Sequence, residues 1–204
     1  NQLKKQTTKL LALFLTLVML LGLLPTGAVA AGNDISGSGT AEDPYVLKTA
    51  DDLAAMADHP GAFYVLMADI NPAQWESATC AFSGTIDGNG YMITLPSNAK
   101  AGLFKTNSSG TIKNLRLIAE VTNSSSSSSI YTGLLVDGNF SGTIQNCAVI
   151  GTLNLESTAA TIYAGGFAAR LNSNNAKIEN SYAAVTITNT GSGGTKALNI
   201  GAVA

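Results

Sequence analysis

Gly110-Thr111-Ile112-Lys113-Asn114 returns as Gly142-Thr143-Ile144-Gln145-Asn146 and again as Ala176-Lys177-Ile178-Glu179-Asn180, at spacings of 32 and 34 residues. A second motif keeps step with it. Gly102-Leu103-Phe104 is followed by Gly133-Leu134-Leu135, Gly166-Phe167-Ala168 and Gly201-Ala202-Val203, at spacings of 31, 33 and 35. Ser83-Gly84-Thr85-Ile86-Asp87 reads as an earlier copy of the first motif. Each first motif leads into a β-like run, at 115–118, 147–150 and 182–187. Two motifs recurring in fixed order mark an array of stacked units. One such unit cannot bury its apolar face alone, so its neighbours must cover it.

No helical segment separates the motifs, so the expected architecture is an all-β parallel β-helix, or β-solenoid. Strands of successive coils would pair in parallel about 4.8 Å apart. Ile112, Ile144 and Ile178 are expected to form one inward stack, and Leu103, Leu134 and Phe167 another. Asn114, Asn146 and Asn180 fall at one position, where their amides can hydrogen-bond along the stack as in other stacked β structures. A turn ladder is the structural reading of this row, and ligand binding is its alternative. Asn123 and the serines at 124–129 read as an outward loop that accounts for the drifting spacing, and Gly191-Ser192-Gly193-Gly194 reads the same way.

Working back toward the N-terminus, a short strand is expected at 44–47 and a β-like segment at 63–70. Thr49 with Asp52 makes a capping-box pattern. It opens a helix over 51–57 that His59-Pro60-Gly61 ends. These elements would cap the solenoid, whose bare end would otherwise be an exposed sheet edge. Residues 1–9 carry Lys4, Lys5 and Lys9, residues 10–24 are mostly apolar, and Ala28-Val29-Ala30 follows. That is the pattern of a secretory signal peptide. The expected organisation is therefore a signal peptide at 1–30, a linker at 31–44, a cap and first coil at 45–100, and repeats at 101–204. The repeats read as truncated at the C-terminus.

Removing those 30 of 204 residues leaves 174, and the loss of three lysines takes the net charge from −2 to −5. That balance excludes a basic nucleic-acid binder. Charged residues make up 12%, while Ser, Thr and Asn together number 56, which suits short strands and tight turns.

Gly39-Thr40-Ala41-Glu42-Asp43-Pro44-Tyr45, the short helix, Ala68-Asp69-Ile70, residues 82–90 and the two repeated motifs together resemble bacterial secreted right-handed parallel β-helix proteins with GLUG-type repeats. The resemblance covers nearly all of residues 37–204. It implies a right-handed β-helix, an extracellular or cell-surface location and an adhesin-like role. The family has no common active site to carry over. The full Gly-Leu-Val-Gly core is intact in no copy, since Lys105 follows Gly102-Leu103-Phe104 and Asp137 precedes Gly138.

The chemistry-bearing residues are few. His59, the only histidine, sits beside Pro60 with no nucleophile or further ligands near it in sequence. Cys80 and Cys147 are the only cysteines. Two coils of rise, about 10 Å, exceed the roughly 7 Å Cα separation that a disulfide spans, so buried free thiols are expected. Asp87-Gly88-Asn89-Gly90 has a metal-like look but lacks the closing acid of a calcium loop. Glu120, Asp137, Glu156 and Glu179, with Lys113, Arg116, Arg170 and Lys177, scatter over different coil positions. Lys113, Gln145 and Lys177 are assigned to one of these, with Glu179 two residues beyond. No catalytic, cofactor-binding or metal residue is assigned, and no cofactor is expected.

The expectation is a non-enzymatic surface module that binds a glycan or a host or cell-surface protein, or serves as a scaffold. It takes no nucleic acid and has no membrane span in the mature chain. A carbohydrate-active enzyme needing clustered acids, or a spacer carrying another domain, are the alternatives. Tyr131, Phe140 and Tyr163 are the aromatics near the first two repeat loops.

Overall fold

The computed structural model describes residues 35–191 and 197–201, so the expected signal peptide, linker residues 31–34 and residues 192–196 lie outside the described residues. Strand β1 (Tyr45–Leu47) leads into helix α1 (Ala50–Ala55). Thr49 caps it as expected. Its Oγ1 accepts from Asp52 N–H at 3.2 Å, and Asp52 Oδ2 accepts from Thr49 N–H at 2.9 Å. The helix begins one residue earlier than expected and tightens into a 3-10 turn (Met56–Asp58). Leu53, Ala55 and Met56 are buried.

Among the described residues, everything else regular is strand, and every pairing is parallel. β2 (Phe63–Leu66) joins β1 to β3 (Thr85–Asp87). Then come β4 (Met92–Thr94) and β5 (Phe104–Lys105). The next strands are β6 (Thr111–Lys113), β7 (Arg116–Asn123), β8 (Ser129–Gly133) and β9 (Val136–Phe140). β10 (Thr143–Gln145), β11 (Ala148–Leu155), β12 (Thr161–Gly165) and β13 (Ala168–Leu171) repeat that order. β14 (Lys177–Glu179), β15 (Tyr182–Asn189) and β16 (Ala197–Gly201) begin it again. The strands sort into four sheets: β1-β2-β3-β6-β10-β14, β4-β7-β11-β15, β8-β12-β16 and β5-β9-β13.

The first motif is in register throughout. Ile86, Ile112, Ile144 and Ile178 are cross-strand neighbours, and the first three are fully buried. Leu117 pairs with Val149, and Val121 with Leu153, all buried. Burying each such side chain favours folding by roughly 1.5–3 kcal/mol. In β15 the corresponding Ala183, Val185 and Ile187 are only half-buried.

The second motif behaves differently. Leu103, Leu134 and Phe167 are all buried, but the paired row is Phe104–Val136–Ala168, and Gly133 lies opposite Gly165. The corner explains the slip. Leu134 and Leu135 both donate backbone N–H to the Gly166 carbonyl, so two adjacent residues there take buried positions where the motif suggests one.

The serine run also needs correcting. Asn123 pairs with Leu155 and Ser129 with Thr161, so the serines are matched in length by residues 156–160 and cause no drift. Ser129 belongs to β8. Adjacent connections lie on one another: Ser157 Oγ donates to the Ser125 carbonyl at 2.8 Å, and Ser124 Oγ donates to Glu156 Oε2 at 3.2 Å. The added length between repeats instead falls where β13 leads to β14, because Leu171 pairs with Phe140 whereas Lys177 pairs with Thr143, and again between β15 and β16, because Asn189 pairs with Leu155 whereas Ala197 pairs with Thr161.

Candidate functional site

Three places gather polar side chains. The first is the corner after the first motif. Asn114, Asn146 and Asn180 hold φ of 53°, 52° and 47°, left-handed values that Asn tolerates better than other residues with a Cβ. Asn146 Nδ2 donates to Asn114 Oδ1 at 3.2 Å, and Asn114 Nδ2 donates to Asp87 Oδ1 at 2.9 Å. Asp87 Oδ1 also accepts from Asn89 N–H at 2.9 Å, and its Oδ2 pairs with Lys113 Nζ at 3.1 Å. Partial burial alone would raise the Asp87 carboxyl. The donors from Asn114, Asn89 and Lys113 outweigh it and hold the group below its ordinary value. The Asp87–Gly90 turn is thus occupied by its own protein donors, and the Asn146–Asn114 bond supports the turn-ladder reading of the row.

Lys113 lies opposite Asp87 and Gln145, and Gln145 opposite Glu179. Lys177 instead pairs with Thr143, which corrects the sequence assignment by two residues. Outward and inward positions alternate along a strand, so residues 177 and 179 both face outward; the motif aligned on its Ile and Asn gives the same pairing as the register, Lys177 with Thr143 and Glu179 with Gln145.

The second place is the corner between β8 and β9. Thr132 is fully buried, and Thr132 Oγ1, Asp137 Oδ1 and Asn139 Oδ1 are buried without a hydrogen-bond partner. Burial pushes the Asp137 carboxyl up. The nearby Thr132 hydroxyl and Gly133 N–H offset only part of this.

The third is on the outer face of the β8-β12-β16 sheet. Tyr131 and Tyr163 are register partners whose rings stack with centroids 4.6 Å apart and planes 4° from parallel. The Arg170 guanidinium lies 5.6 Å from the Tyr131 ring centroid and 6.0 Å from that of Tyr163. The sequence held a signal for this pair: Tyr131 and Tyr163 stand 32 residues apart, the same interval as Ile112 and Ile144. Arg170 comes from β13 on another sheet, which the interval does not reveal. Phe140, the other aromatic noted in sequence, is buried and unavailable to a ligand.

The remaining candidates are dispersed. His59 is exposed, and its ring packs 5.3 Å from that of Tyr45. Cys80 and Cys147 are buried free thiols. Burial pushes Cys80 up to about 11 despite the nearby Lys105, and burial likewise raises Cys147. An open cleft of about 570 Å³ beside α1 is lined by Asp51, Trp75 and Glu76 among others. Trp75 is itself buried and donates Nε1–H to the Gly102 carbonyl at 3.1 Å. Among the described residues, no three His, Cys, Asp or Glu side chains converge to hold a metal ion. No helix among the described residues is long and apolar enough to cross a membrane.

Comparison with protein-family models, curated proteins and solved structures finds no match to this chain. The functional reading therefore rests on the residues and their placement.

Proposed function

We propose that the chain is a secreted, cell-surface module with the fold of a right-handed parallel β-helix of GLUG type, acting without catalysis as an adhesin-like binder or scaffold. The observation that carries this reading is the recurring strand order. β6-β7-β8-β9 and β10-β11-β12-β13 visit the same four sheets in the same order, and each strand pairs in parallel with its counterpart. A chain that returns to the same sheets at a nearly constant interval winds as a helix. Parallel crossover connections are almost always right-handed. The signal-like N-terminus supports export, and the Ser-, Thr- and Asn-rich composition suits a solvated outer face. A stacked Tyr pair, Tyr131 exposed and Tyr163 half-buried, beside an arginine is a feature that a binding face uses and a plain spacer does not need.

The test is surface labelling. Intact producing cells treated with an antibody to residues 35–191 should be labelled, and purified protein should attach to cell or glycan surfaces. Protein found only inside intact cells, with no attachment, would sink the proposal.

A further inference from the structure

We infer that Arg170, with the stacked Tyr131 and Tyr163, forms a binding site for an acidic saccharide, a hexuronic acid within a glycan chain. This rests on the surface-binding reading above and gives that binding a place and a chemistry.

The guanidinium is held in position yet unsatisfied. Among the described residues, its one side-chain hydrogen bond runs to Asn172 Oδ1 at 2.9 Å. Guanidinium carries five N–H donors, so most remain for a ligand. The ion pairs among the described residues are Lys113–Asp87 and Lys177–Glu179, and neither involves Arg170. Its cross-strand neighbour Asn139 leaves Oδ1 without a hydrogen bond, so that side chain does not claim the donors either. A planar fork resting against aromatic rings is matched to a carboxylate, which it binds through two parallel hydrogen bonds.

The surroundings favour a sugar as the carrier of that carboxylate. β8 is the edge strand of its sheet, so no strand of that sheet covers the Tyr131 ring face turned away from Tyr163. Tyr131 is 37% exposed. Flat, rigid aromatic surface of this kind takes an apolar ring face while its hydroxyl stays wet. The rows beside it are short, neutral and hydrogen-bonding: Ser129 with Thr161, and Asn199 next to Tyr163. Nucleic acid is a poorer fit, since it demands a basic stripe rather than a single cation.

The experiment titrates the purified protein with hyaluronan oligosaccharides, in which a uronate alternates with an N-acetylhexosamine, and with the same oligosaccharides after carboxyl reduction. Binding of the acidic form is expected to be at least tenfold tighter. Arg170→Gln and Tyr131→Ala should each weaken it at least tenfold with Tm unchanged within about two degrees, while Lys113→Gln, on another sheet, leaves it intact. Equal affinity for the reduced form, unchanged binding by Arg170→Gln and Tyr131→Ala, or no binding at millimolar oligosaccharide would each overturn the site. Attachment to cells is measured in parallel. Attachment without hyaluronan binding removes this site and keeps the surface-binding reading, whereas loss of both removes both.

Discussion

Asn146 donates its side-chain N–H to Asn114 Oδ1 at 3.2 Å, one strand to the next, while both residues hold a left-handed backbone near φ +52°. Each side chain therefore does two things at once. It tolerates the turn, and it ties that turn to its neighbour.

Two variants separate those roles. Asn146→Gly keeps the backbone free to adopt positive φ and removes only the ladder bond, a loss of about 1 kcal/mol. Asn146→Ala removes the bond and also leaves the left-handed backbone with a Cβ but without the short amide that eases it there, which adds up to roughly 1–2 kcal/mol. Thermal unfolding should rank wild type above Asn146→Gly and Asn146→Ala lowest. Equal Tm for the Gly and Ala variants would show that the backbone conformation carries no cost there.

The alternation of faces gives a sharper contrast. Ile144 is fully buried, whereas Ile150, six residues on, is 40% exposed. Ile144→Asp leaves an unpaired charge in the core, beyond what a marginally stable domain withstands, and should yield unfolded or insoluble protein. Ile150→Asp should express as soluble protein with a change in stability within about 1 kcal/mol. Soluble, folded Ile144→Asp, judged by circular dichroism, would refute the register of that strand.

The legibility of this fold from sequence follows the same division. The Ile86–Ile112–Ile144–Ile178 row was readable because one apolar residue sits in a fixed frame of Gly, Thr and Asn. Thr49 and Asp52 were readable because a capping box is local. The Gly-Leu corner was not, since both Leu134 and Leu135 are buried and the ladder passes them to pair Val136 with Phe104, which a motif of Gly and Leu does not show. The serine run misled because its composition suggests an insertion, while the pairings on either side of it show none. Of the candidate sites, the Tyr pair was legible as an interval. Arg170 joins it only through packing across two sheets.

Acid stability should reveal Asp87. Its folded-state value lies below the ordinary 3.8 because Asn114, Asn89 and Lys113 donate to it against the effect of burial. A depressed carboxyl stabilises the fold above its unfolded value, and that contribution is lost as pH falls through the folded value. Wild type should therefore lose stability relative to Asp87→Asn below about pH 4 and keep its advantage at neutral pH. Parallel pH–Tm curves for the two proteins would refute the role given to this carboxylate.

Asp137 has the opposite sign. Burial raises its carboxyl above the ordinary 3.8. Below the unfolded value the group is protonated in both states and costs nothing electrostatically. As pH rises from the unfolded value to the folded one, stability is lost, and above the folded value the fold carries the full penalty of a buried, poorly partnered charge. Asp137→Asn should then raise Tm at pH 7 by ~2–4 °C, the shift that about 1 kcal/mol brings in a chain of this size. The gain should fade below pH 4, and a Tm lowered at pH 7 would contradict it.

The thiols test burial at two separate points. Cys147 Sγ sits 3.2 Å from the Gln145 carbonyl, and the Cys80 carbonyl accepts from Lys105 N–H at 2.8 Å. A thiol held high by burial offers little thiolate, and the thiolate is the reacting species. Both cysteines should resist a disulfide-exchange reagent in the native protein at pH 8 over minutes, and both should react at once in denaturant. The two sit on different elements and each is enclosed by its own neighbours, so air oxidation should form no intramolecular bridge. One fast-reacting equivalent in the native state would show that one of these sites opens. A mobility shift reversed by reductant would show that the two meet, and the placement of Cys80 and Cys147 would then be wrong.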